Sequence, residues 1–218
     1  MVGLPITLPI PQEAIIASYN GIDLATGRGI ATFYLGDTTD DFLMNSNVFY
    51  GDAGMTEDDG GSTYLLDIDF DKKLEKPLVI DGDMIISFSA MFGLSSGSAG
   101  SHVWTWNVAF SKWDGTTETI IANKDVDFPT SSLTSGQNII FRRTCSLAIP
   151  KTKFKIGETI RVTMKNEGDA SGGWFHVLAH DPAGRSSLPS ISGLPDADWS
   201  GRTGGSAAYA LIPIVVDL

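Results

Sequence analysis

The chain has 218 residues, and its 15 Lys and Arg stand against 26 Asp and Glu, a formal net charge of −11 at neutral pH. Such a surface repels phosphate backbones and anionic lipid headgroups, so neither nucleic acid nor membrane is an expected partner. Gly 24, Pro 10 and a charged content of only 19% suit many strands and turns. A chain of this length buries roughly 70% of its unfolded surface and needs no staple.

Residues 1–18 lack a cationic start followed by an apolar core, so neither a signal nor a transit peptide is expected. No run approaches the roughly 18 apolar residues of a membrane helix. Cys145 is alone, which excludes an intrachain disulfide and a cysteine metal cluster, and Asn-x-Ser/Thr sequons are absent. Synthesis in the cytosol follows as the expectation.

The chain opens with Pro5, Pro9 and Pro11 spaced through Leu4, Ile6, Leu8 and Ile10. Proline fixes φ and removes a donor, so residues 1–13 read as an extended arm whose apolar side chains need a surface elsewhere. From residue 30 the hydrophobic period becomes two, which predicts strands at 30–35, 63–70, 77–80 and 84–92. Asp81-Gly82 is either a tight corner or the bend of one long strand. The clearest strand is 102–113, where Trp104, Trp106, Val108 and Phe110 alternate with Thr105, Asn107, Ala109 and Ser111. Asp114-Gly115 then turns the chain into a hairpin partner at 117–122. Further strands are predicted at 139–149, 159–165, 174–180 and 207–216. Helical periodicity of useful length is absent.

Eight or nine strands without helices predict an all-β, antiparallel, two-sheet sandwich of jelly-roll type, with the arm at 1–13 and a single domain at 14–218. Phe88, Trp104, Trp106, Phe110, Leu147, Ile160 and Val162 are the expected core. Stretches 36–61 and 181–206 lack strand patterning and are expected to be long loops of the kind that carry function.

Catalytic chemistry is not legible. Gly93-Leu94-Ser95-Ser96-Gly97 matches a nucleophile-elbow string, but that motif needs a helix after the serine and a strand follows here. His176 and His180 share a strand face roughly 13 Å apart, too far to chelate one ion, and read as solvent-facing or interface histidines. Asp67, Asp69 and Asp71 line one face of a strand and read as a solvated row that discourages edge pairing. Asp37, Asp40 and Asp41, and separately Glu57, Asp58 and Asp59, carry oxygens without the regular spacing of a calcium loop. No metal and no cofactor is expected. Trp113 at a turn, Trp174 opening a strand after Gly172-Gly173 and Trp199 in the long loop are the candidate exposed aromatic contacts.

Two groups of residues resemble a known class. The stretch Ile16 to Gly29 running into Thr32-Phe33-Tyr34 resembles an N-terminal pattern of virion proteins of tailed bacteriophages and marine viruses. Lys76 to Asp83, the Trp113-Asp114-Gly115 hairpin and the Ile149 to Glu158 turn resemble jelly-roll subunits of phage heads and fibres. The resemblance implies a virion location after synthesis in the host cytoplasm and a non-enzymatic capsid decoration or cement subunit. Leu4, Ile6, Leu8 and Ile10 would then dock the arm on the major capsid protein or another virion subunit, and a homotrimer is the expected assembly. The alternative is a carbohydrate-binding jelly-roll module of a fibre or adhesion domain.

Overall fold

The computed structural model describes residues 17–18, 27–38, 41–47, 55–58, 66–94, 98–99, 102–130, 133–134, 137–167, 174–180 and 208–215. The arm at 1–13 and the stretch 181–206 lie outside them. Every regular element among the described residues is a strand. In chain order these are β1 (Ala17–Ser18), β2 (Arg28–Asp37), β3 (Phe42–Asn45), β4 (Met55–Asp58), β5 (Asp67–Lys73), β6 (Leu78–Leu94), β7 (Ser98–Ala99), β8 (His102–Trp113), β9 (Glu118–Thr130), β10 (Leu133–Thr134), β11 (Gln137–Phe154), β12 (Thr159–Glu167), β13 (Trp174–Ala179) and β14 (Ala208–Val215).

The chain is all-β, as its periodicity predicts. One mixed sheet runs β11-β6-β14-β2-β3-β5-β12-β8-β9, and β7 pairs with β10 in a separate ribbon. Neighbours are antiparallel except β3 and β5, which meet in parallel at Leu43 and Asp71. The sheet rolls until its two ends face each other: Lys124 Nζ on β9 donates to the Ser146 carbonyl on β11 at 3.5 Å, and the Arg143 guanidinium lies 5.3 Å from the Phe128 ring centroid. No ladder joins β9 to β11 among the described residues. The result is a nearly closed barrel of nine strands, with β13 and β4 branching from the second half of β6 and β1 from β2.

Inward rows fill the barrel. Trp104, Trp106, Val108 and Phe110 of β8 are fully buried, as are Ile160, Val162 and Met164 of β12 and Met84, Ile86, Phe88, Ala90 and Phe92 of β6. All seven residues expected in the core are there. Aromatic contacts cross the interior from β6 to β8 and β9: Phe92 stacks on Trp104 at 5.8 Å, Phe88 meets Trp106 edge-on at 6.2 Å, and Phe88 and Phe92 reach Phe128 at 5.8 and 5.4 Å.

The sequence left open whether Asp81-Gly82 is a corner or a bend, and the structure shows the bend, since β6 is continuous. Gly82 has φ +125°, and both flanking ladders slip at its level. On one side the β11 register shifts between Ile149 and Thr152, across Pro150; on the other the β14 register shifts between Leu211 and Ile214, across Pro213. Proline has no N–H to give a ladder, so the two prolines fall where β6 bends away from its neighbours. A Cβ on Gly82 would lie 3.5 Å from Pro213 Cβ, an ordinary contact. The backbone dihedral is therefore what requires glycine.

The β8–β9 hairpin is closed by the Asp114 N–H donating to the Thr117 carbonyl at 3.2 Å, with Gly115 at φ +100°. The Asp114 carboxylate accepts from the N–H groups of Thr117 and Thr116 at 2.8 and 2.9 Å and from the Thr116 hydroxyl at 2.8 Å. These bonds, that of Thr117 first, hold its carboxyl below the ordinary carboxylate range.

Stretch 36–61, read as loop, contains β3 and β4. Each has four residues, too short for a readable alternation, and β3 is held by the Thr38–Asp41 turn, where the Thr38 N–H donates to the Asp41 carbonyl at 2.8 Å.

Gly82→Ala forces an L-residue into the left-handed region and should destabilise the protein by about 1–3 kcal/mol in urea unfolding, without changing the contacts around Pro213.

Candidate functional site

Three inward rows carry a polar residue near one end. Phe33 and Leu35 continue into Asp37 on β2, Ile68 and Phe70 into Lys72 on β5 before Leu74 closes that row, and Leu178 into His180 just past β13; all three polar residues are buried. The end of β13 and the start of β14 meet the same stretch of β6, Ala179 opposite Ser89 and Tyr209 opposite Ser87. At that seam His180 Nδ1 faces Asp37 Oδ1 at 3.6 Å. The separation exceeds hydrogen-bond length, so the two attract as charges only when the imidazole is protonated. Phe42 and Phe70 set ring edges against the imidazole at centroid distances of 5.4 and 5.9 Å. The arrangement can hold the ring in place. The solvent-facing reading of His180 is corrected: the residue keeps the phase of Leu178 and enters the core. The side chain of His176 lies outside the described residues.

The outer face carries a second polar cluster. Arg161 on β12 grips Asp71 with two bonds, Nε to Oδ1 and Nη2 to Oδ2, both at 2.8 Å. Its Nη1 reaches Asp69 at 2.8 Å and Glu118 at 3.7 Å, and the guanidinium lies 4.9 Å from the Trp113 ring centroid. The hydrogen bond that Arg161 donates to Asp71 is the main cause that raises the Arg161 pKa above its ordinary value. Thr163 adds a 2.6 Å bond to Asp69. The reading of Asp67, Asp69 and Asp71 as a row guarding a sheet edge is corrected, because β5 lies inside the sheet between β3 and β12.

A third group is buried and unpaired. Asn166 on β12 is fully buried, and neither its Nδ2 nor its Oδ1 has a hydrogen-bond partner; the same holds for Trp106 Nε1 and Ser111 Oγ. A buried polar atom without a partner costs about 1–3 kcal/mol, so each calls for an explanation. Sequence reading passed over Asn166 and Lys72 and took Asp37 for a loop acid, although each falls in phase with an apolar row.

Of the candidate aromatic contacts, Trp113 is half-buried at the end of β8 beneath Arg161, Trp174 opens β13 with its side chain outside the described residues, and Trp199 is outside them altogether. Leu4, Ile6, Leu8 and Ile10 are also outside. Ser95 of the elbow-like string is outside as well, and the chain continues beyond it as strands β7 and β8. No three His, Cys, Asp or Glu among the described residues are grouped to hold a metal ion. Burial pushes the Cys145 thiol up, which disfavours the reactive thiolate.

No protein-family model matches the chain, and no curated protein matches it in sequence. Solved structures match its fold. A CocE/NonD family hydrolase from Staphylococcus aureus aligns at TM-score 0.50 and 14% identity, over 84% of this chain and 36% of its own. An α-amino acid ester hydrolase aligns at TM-score 0.50 and 13% identity with the same coverage. An aminopeptidase from a marine sediment Thaumarchaeota archaeon aligns at TM-score 0.51 and 10% identity, over 84% of this chain and 37% of its own. The chain thus spans about a third of the length of these proteins, and the likeness is one of fold. Infectious bursal disease virus structures align at TM-scores of 0.33 and below, which carries no argument about a virion.

These matches correct the functional expectation. The fold is one that hydrolases carry, which overturns the reading as a non-enzymatic capsid decoration or cement subunit. The residues behind that reading, Asp81-Gly82 and Asp114-Gly115 among them, encode bends and hairpin turns that recur in antiparallel sheets of any function.

Asp71→Asn removes the charge from a two-bond grip and should cost about 1 kcal/mol in urea unfolding, with a smaller loss at high salt.

Proposed function

We propose that this chain is the β-domain of a hydrolytic enzyme that cleaves ester or amide bonds, and that its rolled sheet is a jelly-roll sandwich. The observation that carries the functional reading is the alignment of 84% of the chain with a CocE/NonD family hydrolase, an α-amino acid ester hydrolase and an aminopeptidase, in each case over little more than a third of the other protein. Esters and amides share one chemistry, attack on a carbonyl carbon, so a common scaffold can serve both. The flattened, two-layered shape finds support in the aromatic pairs that join β6 directly to β8 and β9 across the interior.

Hydrolysis needs a nucleophile, a base and oxyanion donors converging within about 3 Å of one reacting atom. Asp37 and His180 supply a carboxylate and an imidazole, yet both are buried, the imidazole against two phenyl rings, so we assign them to holding the seam between β13 and β14. Bond cleavage in this reading is completed by a catalytic unit corresponding to the length of those hydrolases that this chain does not span.

The test is hydrolysis of α-amino acid 4-nitrophenyl esters and 4-nitroanilides by the protein purified from its own source under native conditions. Activity that follows the chain through gel filtration and is removed by immunodepletion of the chain is the expected result. A homogeneous native preparation that leaves both substrates intact would overturn the proposal.

A further inference from the structure

Asn166 and Trp106 are direct partners in the β12–β8 ladder. Both point inward, both are fully buried, and between them they present Nδ2, Oδ1 and Nε1, none with a hydrogen-bond partner. Side chains directly opposite in an antiparallel pair have Cβ atoms about 4.5–5.5 Å apart, so these three atoms share one small region of the interior. The inward neighbours there are apolar: Met164 two residues back on β12, Trp104 and Val108 on β8, and Phe88, whose ring meets that of Trp106. On the far side of β12, the Asn166 N–H donates to the Leu66 carbonyl at 2.9 Å, which fixes the backbone that carries the amide.

We propose that Asn166 and Trp106 form an internal binding site for one water molecule that ties β12 to β8. The chemistry selects it. Two N–H donors and one carbonyl acceptor match a guest that accepts twice and donates once, and buried waters typically make about three hydrogen bonds. A direct bond from the Trp106 indole to the Asn166 carbonyl would satisfy two of the three atoms and leave the amide donor in an apolar environment. An ion is disfavoured because the described residues around the pair bring no charge to the interior, and an unpaired charge there is costly. The site lies near one end of the barrel, where β12 ends and β8 begins, so a single bridge holds the two strands at the point where their ladder stops.

The test is water-to-protein nuclear Overhauser spectroscopy on the whole protein, read at the Trp106 indole N–H and the Asn166 amide protons. Cross-peaks of the sign given by a long-lived bound water, present at both groups and lost at Trp106 in Asn166→Leu, are the expected result. If that variant fails to fold, the wild-type spectrum decides alone. Absence of the water cross-peak at either group, or a crystal structure with Trp106 Nε1 bonded directly to Asn166 Oδ1 and no water between them, would overturn the proposal.

Discussion

Aromatic packing across the interior, from β6 to the β8–β9 hairpin, is what keeps the sheet rolled. A sheet with free ends closes by hydrogen bonding or by burying something between its walls, and among the described residues no ladder links β9 to β11. What spans the gap is a cluster in which Phe92, Phe128 and Phe141 lie within 6.1 Å of one another, extended by Phe88, Trp104 and Trp106. Aromatic side chains bury large areas and favour tilted or offset contacts, so they fill a curved interior without demanding strand register. The bend of β6 at Gly82, with Pro150 and Pro213 opposite the two ladder slips, belongs to the same design: it turns the long strand around the core that these rings form.

The polar groups follow from that construction. A row that alternates inward and outward is apolar where it lines the middle of the barrel, and it can turn polar only where the barrel ends. Asp37, His180 and Asn166 occupy such terminal inward positions, and Lys72 stands one inward step before Leu74, which closes its row. On the outside the same sheet is tied by charge, with Arg161 spanning from β5 to β9 through Asp71, Asp69 and Glu118. Core, seam and outer face thus use different interactions for one purpose, the fixing of neighbouring strands.

Much of this was legible in the residues. The phase of Trp104, Trp106, Val108 and Phe110 reveals a buried face, and Ile160, Val162 and Met164 do the same for β12, because a period of two leaves little freedom in which side chains point inward. The limits were also physical. β3 and β4 owe their existence to neighbours they meet only in the fold, and β6 hid its continuity behind an Asp-Gly pair that more often makes a turn. His180 read as solvent-facing because a single imidazole at the end of an alternating stretch gives no sign of the phenyl rings from β3 and β5 that cover it. Function was least legible, since turn motifs report local backbone chemistry and are indifferent to what a domain does.

The claim that interior packing holds the roll is tested most directly by a double-mutant cycle on Phe88 and Phe128, which belong to β6 and β9 and meet at 5.8 Å. Urea unfolding of Phe88→Leu, Phe128→Leu and the double variant should show a coupling of about 0.5–1.5 kcal/mol, the range of a specific aromatic pair. Effects that add to within about 0.3 kcal/mol would contradict it, for the two walls of the barrel would then be stabilised independently.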